Sequence, residues 1–256
     1  MKHRPIGFSL GLSALLGCGV ALAQVNVEPL RRQIKRGGVG GRVRTAMLAT
    51  GGNTDRLSMG GGLLLGGDSG PHFAYLNLTG EYARVNREAT VAKAFSHLRY
   101  NYELAPWLWA EAFTQLEADR FRRIARRELV GSGPRFGVDF AHAAVFYGTA
   151  YMAEWTLLDR RDTSDSGELR LAHRWSNYVS ASGDVAERVL LTTTVYLQPR
   201  FDAFGDYHAL VVATFEFKVS GLVSTGIEAE VRYESRPADE VEKLDYSIKN
   251  ALELSF

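Results

Sequence analysis

Arginines crowd one short segment of this sequence, and their charge and spacing give the first candidate for chemistry. The segment ADRFRRIARRE (118–128) carries Arg120, Arg122, Arg123, Arg126 and Arg127. Guanidinium groups pair bidentately with phosphate, and lipopolysaccharide presents phosphates at the outer leaflet of a bacterial outer membrane. One hypothesis is therefore a contact with lipopolysaccharide. The alternative is a charged loop end, solvated or with its arginines paired to Glu117, Asp119 and Glu128.

A second charged set recurs at every other residue of the C-terminal third and has scattered members upstream. It comprises Glu216, Lys218, Glu228, Glu230, Arg232, Lys249 and Glu253, with Lys93, Arg99, Glu111, Arg170 and Arg174 before them. Because both signs occur, mutual pairing or hydration can satisfy these charges away from bulk water. They predict a polar interior, either a narrow hydrophilic pore or a lumen plugged by its own side chains.

Histidine and serine together could form a hydrolase site, since outer-membrane lipases also use β-barrels. The histidines after the N-terminal segment are His72, His97, His142, His173 and His208. A lipase needs histidine, a nucleophilic serine and an orienting polar partner close together. Ser96 and His97 are adjacent, but neighbours on a strand point to opposite faces. We therefore predict no catalytic residue, metal or cofactor, and keep a lipase-type barrel enzyme as an alternative.

Strands must position these charges, because apolar and polar residues alternate in segment after segment. In DYHALVVATFEFKVS (206–220), the odd positions from Tyr207 to Val219 are apolar, while Glu216 and Lys218 lie on the other face. The pattern predicts twelve strands near residues 42–50, 56–65, 72–84, 91–103, 107–118, 127–140, 143–157, 167–179, 187–200, 206–219, 221–234 and 244–256.

The number and length of these strands predict a transmembrane barrel. Each is near the roughly 9–11 residues that a tilted strand needs to cross a bilayer, and an even count is typical of bacterial outer-membrane barrels. A Lys or Arg on the lipid face at mid-bilayer costs about 2–4 kcal/mol, so the charged face must line the interior. We predict an all-β, closed antiparallel up-and-down barrel over residues 41–256. A soluble periplasmic β-sandwich or lipocalin-like binding protein alternates too, and remains the alternative.

The last strand, LDYSIKNALELSF (244–256), is amphipathic to its final residue. Its apolar face carries Tyr246, Ile248, Leu252, Leu254 and Phe256. A terminal phenylalanine on such a strand resembles the C-terminal recognition pattern of outer-membrane barrels. The resemblance implies that the barrel-assembly machinery recognises this strand.

The N-terminus has the features of a secretory signal peptide. Lys2 and Arg4 precede an apolar run that ends in Ala21 and Ala23, which predicts cleavage after Ala23 and a periplasmic leader over 24–40. The sole cysteine, Cys18, lies in this segment; a lipoprotein signal there is a weaker alternative. The mature chain then carries 30 − 2 = 28 basic and 29 acidic residues, and this balance argues against nucleic-acid binding.

Several stretches resemble the salt-induced outer-membrane protein family, a domain of unknown function. The matching residues are Gly52, Asn53 and Thr54 at the first hairpin, then Asp119, Arg120, Phe121, Ile124, Arg127, Gly131 and Gly133. Arg135 stands where the family commonly has another glycine. The resemblance covers residues 41–256 and implies a bacterial outer-membrane β-barrel with no established enzyme activity.

Overall fold

The computed structural model describes residues 38–52 and 55–256. The predicted signal peptide, most of the predicted leader, and Asn53 and Thr54 lie outside these ranges. The strands are β1 (Val39–Thr50), β2 (Arg56–Ser69), β3 (His72–Val85), β4 (Glu88–Ala105), β5 (Leu108–Asp119), β6 (Ile124–Asp139), β7 (Ala143–Leu158), β8 (Leu169–Ala186), β9 (Val189–Pro199), β10 (Tyr207–Lys218), β11 (Val223–Glu234) and β12 (Leu244–Ser255). Within the described residues, no helix is long and apolar enough to span a membrane.

All twelve strands form one closed antiparallel barrel in sequence order, and β1 pairs with β12 to complete it. This confirms the predicted fold class and rules out a sandwich, because a sandwich has two sheets. The start of β1 and the end of β12 meet at one rim of the barrel, which we call the terminal end. Gly41 and Phe256 exchange backbone hydrogen bonds of 2.9 and 3.0 Å there. The opposite rim, the loop end, carries the longer connections 159–168, 200–206 and 235–243.

Two strands extend beyond their predicted ends. β2 runs to Ser69 and β8 to Ala186, whereas the sequence reading ended them at 65 and 179. Their last residues are Gly, Ser and Asp, which are typical of turns. They still pair across the sheet, as in Ser69↔His72 and Asp184↔Leu190, so each true turn is only two residues long. Tertiary pairing overrides local preference here.

The outer surface is apolar, as a bilayer requires. Val211 and Ile227, which a sandwich would bury between sheets, are exposed on the outer face. Aromatic side chains gather towards both rims: Trp107, Phe136 and Tyr147 stack in series with ring centroids 6.3 Å apart near the terminal end. Aromatic girdles of this kind lie at the membrane–water interfaces of transmembrane barrels. The protein is therefore a membrane-embedded β-barrel.

Candidate functional site: the barrel lumen

One side of the lumen, the packed side, is filled by apolar side chains from β5 to β10. Its buried clusters comprise Phe113, Leu129, Ala150 and Met152; Tyr178, Tyr196, Leu210 and Val212; and Trp109, Ala144 and Phe146. These residues lie on the inner face of each strand, the same face on which the sequence predicted the lumen-lining charged residues. Since large aromatic rings close the space between facing strands, this side leaves little room for solute or water.

A buried carboxylate holds the centre of the packed side together. Glu111 accepts hydrogen bonds from Arg99 (3.2 Å), Asn101 (3.2 Å) and Tyr178 (2.8 Å) through Oε2. The Arg135 guanidinium approaches the same oxygen at 4.0 Å and lies 4.0 Å from the Phe146 ring centroid. Two buried cations thus share one buried anion, an arrangement that depends on every partner being present.

Glycines on inward-facing positions make room for these rings. A Cβ at Gly131 would lie 2.5 Å from the Phe113 ring, and one at Gly148 would lie 2.1 Å from the Tyr178 ring. Gly133 instead allows the backbones of β6 and β7 to approach closely, because a Cβ there would lie 2.1 Å from the Thr149 carbonyl oxygen on β7. The spaced glycines of the family resemblance therefore have a packing reason in this barrel.

The other side of the lumen, the charged side, is built from β10, β11, β12 and β1, with β3 and β4 beyond. Arg42 bonds to Glu216 (2.8 Å) and Glu253 (3.1 Å). Arg44 bonds to Glu253 (2.5 Å) and Glu228 (3.2 Å). Together these five residues form a continuous layer of ion pairs across this side, which we call the ion-pair layer.

A second small group of charges continues the charged side towards β3 and β4. The Glu81 carboxylate lies 3.1 Å from the Lys93 ammonium and 3.9 Å from the Lys249 ammonium. Polar atoms of Glu81, Glu228, Glu230 and Lys249 are buried without a protein hydrogen bond. Buried polar groups of this kind are normally hydrated, so the charged side has the chemistry of a wet interior.

Two cavities open on either side of the ion-pair layer. The first, of about 350 Å³, lies at the loop end and is lined by Lys93, Glu230, Arg232 and Ser247 among others. The second, also about 350 Å³, lies at the terminal end and is lined by Arg42, Glu216, Lys218 and Ser255 among others. We call them the loop-end and terminal-end vestibules. A third cavity of about 50 Å³ lies beside His208 and Glu234.

Three loops at the loop end are joined by a compact ion-pair cluster outside the membrane-spanning strands, here the loop cluster. The fully buried Arg123 donates to Asp165 (2.6 Å), to Asp159 (3.1 Å) and to the backbone oxygen of Asp239 (3.0 Å). Burial raises the pKa of the Asp165 carboxyl, but the backbone N–H of Asp239 and the side chains of Arg123 and Thr163 outweigh it and lower that pKa to about 2. Asp165 is therefore ionised at neutral pH and joins the loops.

The five arginines of the proposed lipopolysaccharide contact separate into three groups. Arg122 and Arg127 turn into the lumen, where both bond to Glu117 and Glu234, and Arg123 is held in the loop cluster. Arg120 and Arg126 remain exposed, and Arg126 pairs with Glu128 at 3.3 Å. Only the last two present their guanidinium groups to the surroundings.

The residues expected to line the lumen mostly lie on its inner face. Glu216, Glu228, Glu230, Lys249 and Glu253 are buried there, and Arg232 is half-buried beside Glu117. Lys218 is exposed at the terminal end, where it lines the vestibule. Of the upstream members, Lys93 lies on the charged side, whereas Arg99 and Glu111 lie on the packed side. Arg174 bonds to Asp206, and Arg170 bonds to Asp165 near the loops.

Sequence reasoning missed the two arginines at the centre of the ion-pair layer. Arg42 and Arg44 alternate with the outward residues Val43 and Thr45 on β1, so the period-two signal was present. The glycines around them weaken the apolar face of that strand, and the pattern there is less visible than in β10 or β11.

The histidines are dispersed, as their positions on separate strands suggested. His97 is buried on the inner face and contacts Gln115 (2.8 Å) and Arg99 (3.2 Å), whereas its neighbour Ser96 faces outward. His72 and His173 lie on the outer surface against Tyr100 and Tyr151. No group of acids, histidines or cysteines among the described residues could hold a metal ion.

One protein family matches the sequence over most of the barrel. The sequence profile of the family described as "Protein of unknown function, DUF481" matches residues 43–256. The chain belongs to this family. The DUF481 match covers every strand except the first four residues of β1, which agrees with the resemblance read from the sequence. Among curated proteins, none matches the sequence significantly.

Solved structures with a similar fold include several porins. The NanC porin has a TM-score of 0.48 and 8% identity, over 85% of this chain and 98% of that chain. A bacterial polysaccharide outer membrane secretin has a TM-score of 0.44 and 10% identity, over 85% and 97%. The KdgM porin has a TM-score of 0.41 and 9% identity, over 85% and 99%. Scores and identities this low carry no argument about function.

Proposed function

We propose that this DUF481 protein is a bacterial outer-membrane barrel that passes small hydrophilic solutes or ions along the charged side of its lumen. One observation carries the proposal: two vestibules of about 350 Å³ open at opposite ends of the same side, with the ion-pair layer and the Glu81–Lys93–Lys249 group between them. Water in both vestibules would leave only these charged side chains to cross.

The ion-pair layer suits a narrow passage because its pairs can be exchanged. Arg42 and Arg44 both contact Glu253, and each has a second carboxylate, Glu216 or Glu228. A side chain that releases one partner keeps another, so the cost of a local opening is smaller than that of an isolated buried charge. An ion crossing the layer would be coordinated by the same groups in turn.

A structural envelope barrel is the second candidate, and the packed side favours it. The rings of Phe113, Tyr178 and Tyr196 fill much of the cross-section, and the ion-pair layer closes the rest. Planar-bilayer recording separates the two candidates. The channel proposal expects discrete, small conductance steps from folded protein; their consistent absence from protein of verified fold would leave the structural role.

The proposed location is supported by the apolar outer surface, the aromatic girdles and the predicted signal peptide. In the outer membrane, the terminal end would face the periplasm and the loop cluster the cell exterior. Membrane fractionation with gel mobility before and after boiling tests this. An outer-membrane barrel migrates anomalously until boiled, whereas release by osmotic shock would contradict the placement.

The proposed contact with lipopolysaccharide is assigned to Arg120 and Arg126, whose side chains are exposed. Replacing both with Gln should weaken lipopolysaccharide retention during purification, because guanidinium–phosphate pairs are lost. Arg123→Gln provides a contrast, since that residue is buried in the loop cluster. Unchanged retention in the double variant would remove lipopolysaccharide from the proposal.

The proposed assembly signal lies on the outer face of β12, where Tyr246, Ile248, Leu252, Leu254 and Phe256 are all exposed. The Phe256 ring also covers Gly41, since a Cβ there would lie 2.6 Å from it. Deleting Phe256 should therefore reduce the amount of heat-modifiable protein in the outer membrane. Phe256→Tyr keeps the ring and the backbone bonds and is the matched control; normal assembly of the deletion would contradict the proposal.

We assign no reaction to the protein. A lipase role would require phospholipid release by the purified barrel, and measurable release that depends on a histidine would overturn this assignment.

A further inference from the structure

The seam that closes the barrel is much shorter than its other strand pairings. β1 and β12 are in register over four residue pairs, from Arg42↔Ser255 to Thr45↔Leu252. The other neighbours pair over nine to fifteen residues. Beyond Thr45 towards the loop end, β1 pairs only with β2, and before Leu252 β12 pairs only with β11. Both edges of the seam are unpaired along the loop-end half of the barrel.

Side-chain exposure locates the same opening independently. Met47 is 70% exposed, Ile248 68% and Tyr246 79%, whereas Val211 and Ile227 on fully paired strands are 38% and 42% exposed. The excess arises because Met47, Ile248 and Tyr246 each have a neighbouring strand on one side only. Asn250, which would lie opposite Met47 if the register continued, is the one amide on the outward face of β12. Unpaired backbone groups in hydrocarbon cost several kcal/mol each, so polar atoms must reach this gap.

The loop-end vestibule lies directly behind the unpaired part of β12. Asp245, Tyr246 and Ser247 line it, and the Ser247 hydroxyl is buried without a hydrogen-bond partner. Its volume of about 350 Å³ is within the range of small-ligand pockets, roughly 300–1,000 Å³. A polar group entering through the seam would reach the vestibule while an attached apolar chain stayed outside against Met47 and Ile248.

The charge of the vestibule selects the polar group. Its lining carries five carboxylates, which are Asp119, Glu230, Glu240, Glu242 and Asp245. Three cations face them, and these are Lys93, Arg122 and Arg232. Arg122 and Arg232 both bond to Glu117, a carboxylate outside this set, and Arg232 also bonds to Glu230 within it at 3.3 Å. The lining thus has an acidic excess that favours a protonated amine over a phosphate or carboxylate.

We propose that the β1–β12 seam is a lateral entry to the loop-end vestibule for amphiphiles that carry a protonated amine head and an alkyl chain. The head binds among the vestibule carboxylates, and the chain lies along the outer face of the seam. This site is separate from the proposed conduction of ions, because it needs only one vestibule and does not require the ion-pair layer to open.

A second copy of the chain is the weaker occupant. The gap has two facing edges, from β1 and from β12, and one added strand would have to pair with both in a space that narrows to the four-pair ladder. Edge pairing would also leave the acidic vestibule behind it unused. Dimer formation through the seam is therefore treated as an outcome that would contradict the proposal.

Thiol protection tests the site on the full-length chain. Ser247→Cys and Ser255→Cys are matched variants, because both residues are half-buried on β12 and each lines one vestibule. A Cys18→Ser background makes the introduced thiol the only one. In phosphatidylcholine nanodiscs, hexadecylamine should slow maleimide labelling of Ser247→Cys at least about tenfold, a change of about 1.4 kcal/mol. Labelling of Ser255→Cys should not change.

Hexadecyl phosphate, with the same chain and an anionic head, should protect Ser247→Cys several-fold less. Equal protection by both amphiphiles would overturn the amine preference, and protection by neither would overturn the site. Conductance of the same purified variants in planar bilayers distinguishes this failure from failure of the proposed channel, since each result can occur without the other.

Cross-linking across the seam tests its geometry. Val43→Cys/Leu254→Cys joins outward positions that are paired in the ladder and should oxidise readily. Met47→Cys/Asn250→Cys spans the unpaired half and should oxidise several-fold more slowly, and more slowly still with hexadecylamine present. Once formed, the second disulfide should abolish protection at Ser247→Cys until it is reduced. Equal oxidation rates, or cross-links between two chains, would contradict a lateral entry.

Discussion

The packed side and the charged side of the lumen are built from the same alternating strand pattern, but their inward side chains interact in different ways. On the packed side, inward rings from β5 to β10 surround the buried carboxylate of Glu111, which contacts both Arg99 and Arg135. On the charged side, carboxylates and cations are both numerous, and Glu253 bonds to both Arg42 and Arg44. One side depends on each group being present, whereas the other has alternative partners.

This difference indicates that the packed side contributes most of the stability and that the charged side can carry the function. Close packing rewards fixed geometry and penalises any change in volume. A hydrated, redundant charge network tolerates rearrangement, and both vestibules adjoin that network. We therefore expect stability variants on the packed side and permeability variants on the charged side.

The largest difference should come from the two buried carboxylates. Glu111→Gln should destabilise the barrel by about 3–5 kcal/mol, because it removes the buried negative charge that the Arg99 and Arg135 guanidinium groups share. Glu228→Gln should cost about 1 kcal/mol or less, because Arg44 keeps Glu253 at 2.5 Å. Urea unfolding in lipid vesicles measures both. Equal losses would show that the two sides do not differ in redundancy.

Two inward glycines give a smaller contrast. Gly148→Ala should cost about 1–3 kcal/mol, since its Cβ would lie 2.1 Å from the buried Tyr178 ring. Gly226→Ala, on the charged side, meets only ordinary contacts at 3.5 and 3.8 Å and should be close to neutral. The temperature at which gel mobility changes measures the stability of both variants. A Gly148→Ala protein as stable as wild type would contradict tight packing.

The smallest effect concerns the loop cluster, which lies outside the membrane. The folded pKa of Asp165 is about 2 and its ordinary value is 3.8, so its stabilisation is complete above that ordinary value. As the pH falls towards about 2, protonation removes the bond to Arg123 and the loops should separate. Pepsin cleavage within 159–168 should rise over this interval.

Asp165→Asn is the control for this prediction. It should be cleaved to a similar extent throughout the same pH interval, because its amide does not titrate. Pepsin cleavage of the wild-type loops that stays constant as the pH falls would show that Asp165 does not hold them.

The sequence predicted the barrel because its strongest signal is local. Alternation on β10 and β11 identified Glu216 and Glu228 as inward residues without knowledge of their partners. It could not identify those partners, since Arg42 and Glu216 are 174 residues apart and meet only when the barrel closes. The short β1–β12 ladder is likewise a product of closure, which no single strand records.

The loops were harder still. Five arginines in 118–128 suggested one surface, but Arg122, Arg123 and Arg127 are drawn to carboxylates from distant segments such as Glu234 and Asp165. Side-chain spacing in a loop has no fixed period, so which guanidinium groups face solvent depends on tertiary contacts.

The most direct measurement compares conductance after opening each side of the lumen. Arg42→Ala/Arg44→Ala removes the cations of the ion-pair layer and leaves Glu216, Glu228 and Glu253 facing the path. Leu210→Ala/Val212→Ala removes a comparable number of side chains from the packed side. In the same planar bilayer, the arginine variant should conduct more than wild type and select for cations, while the apolar variant should match wild type. No increase from the arginine variant, or a larger one from the apolar variant, would contradict a hydrated charged side.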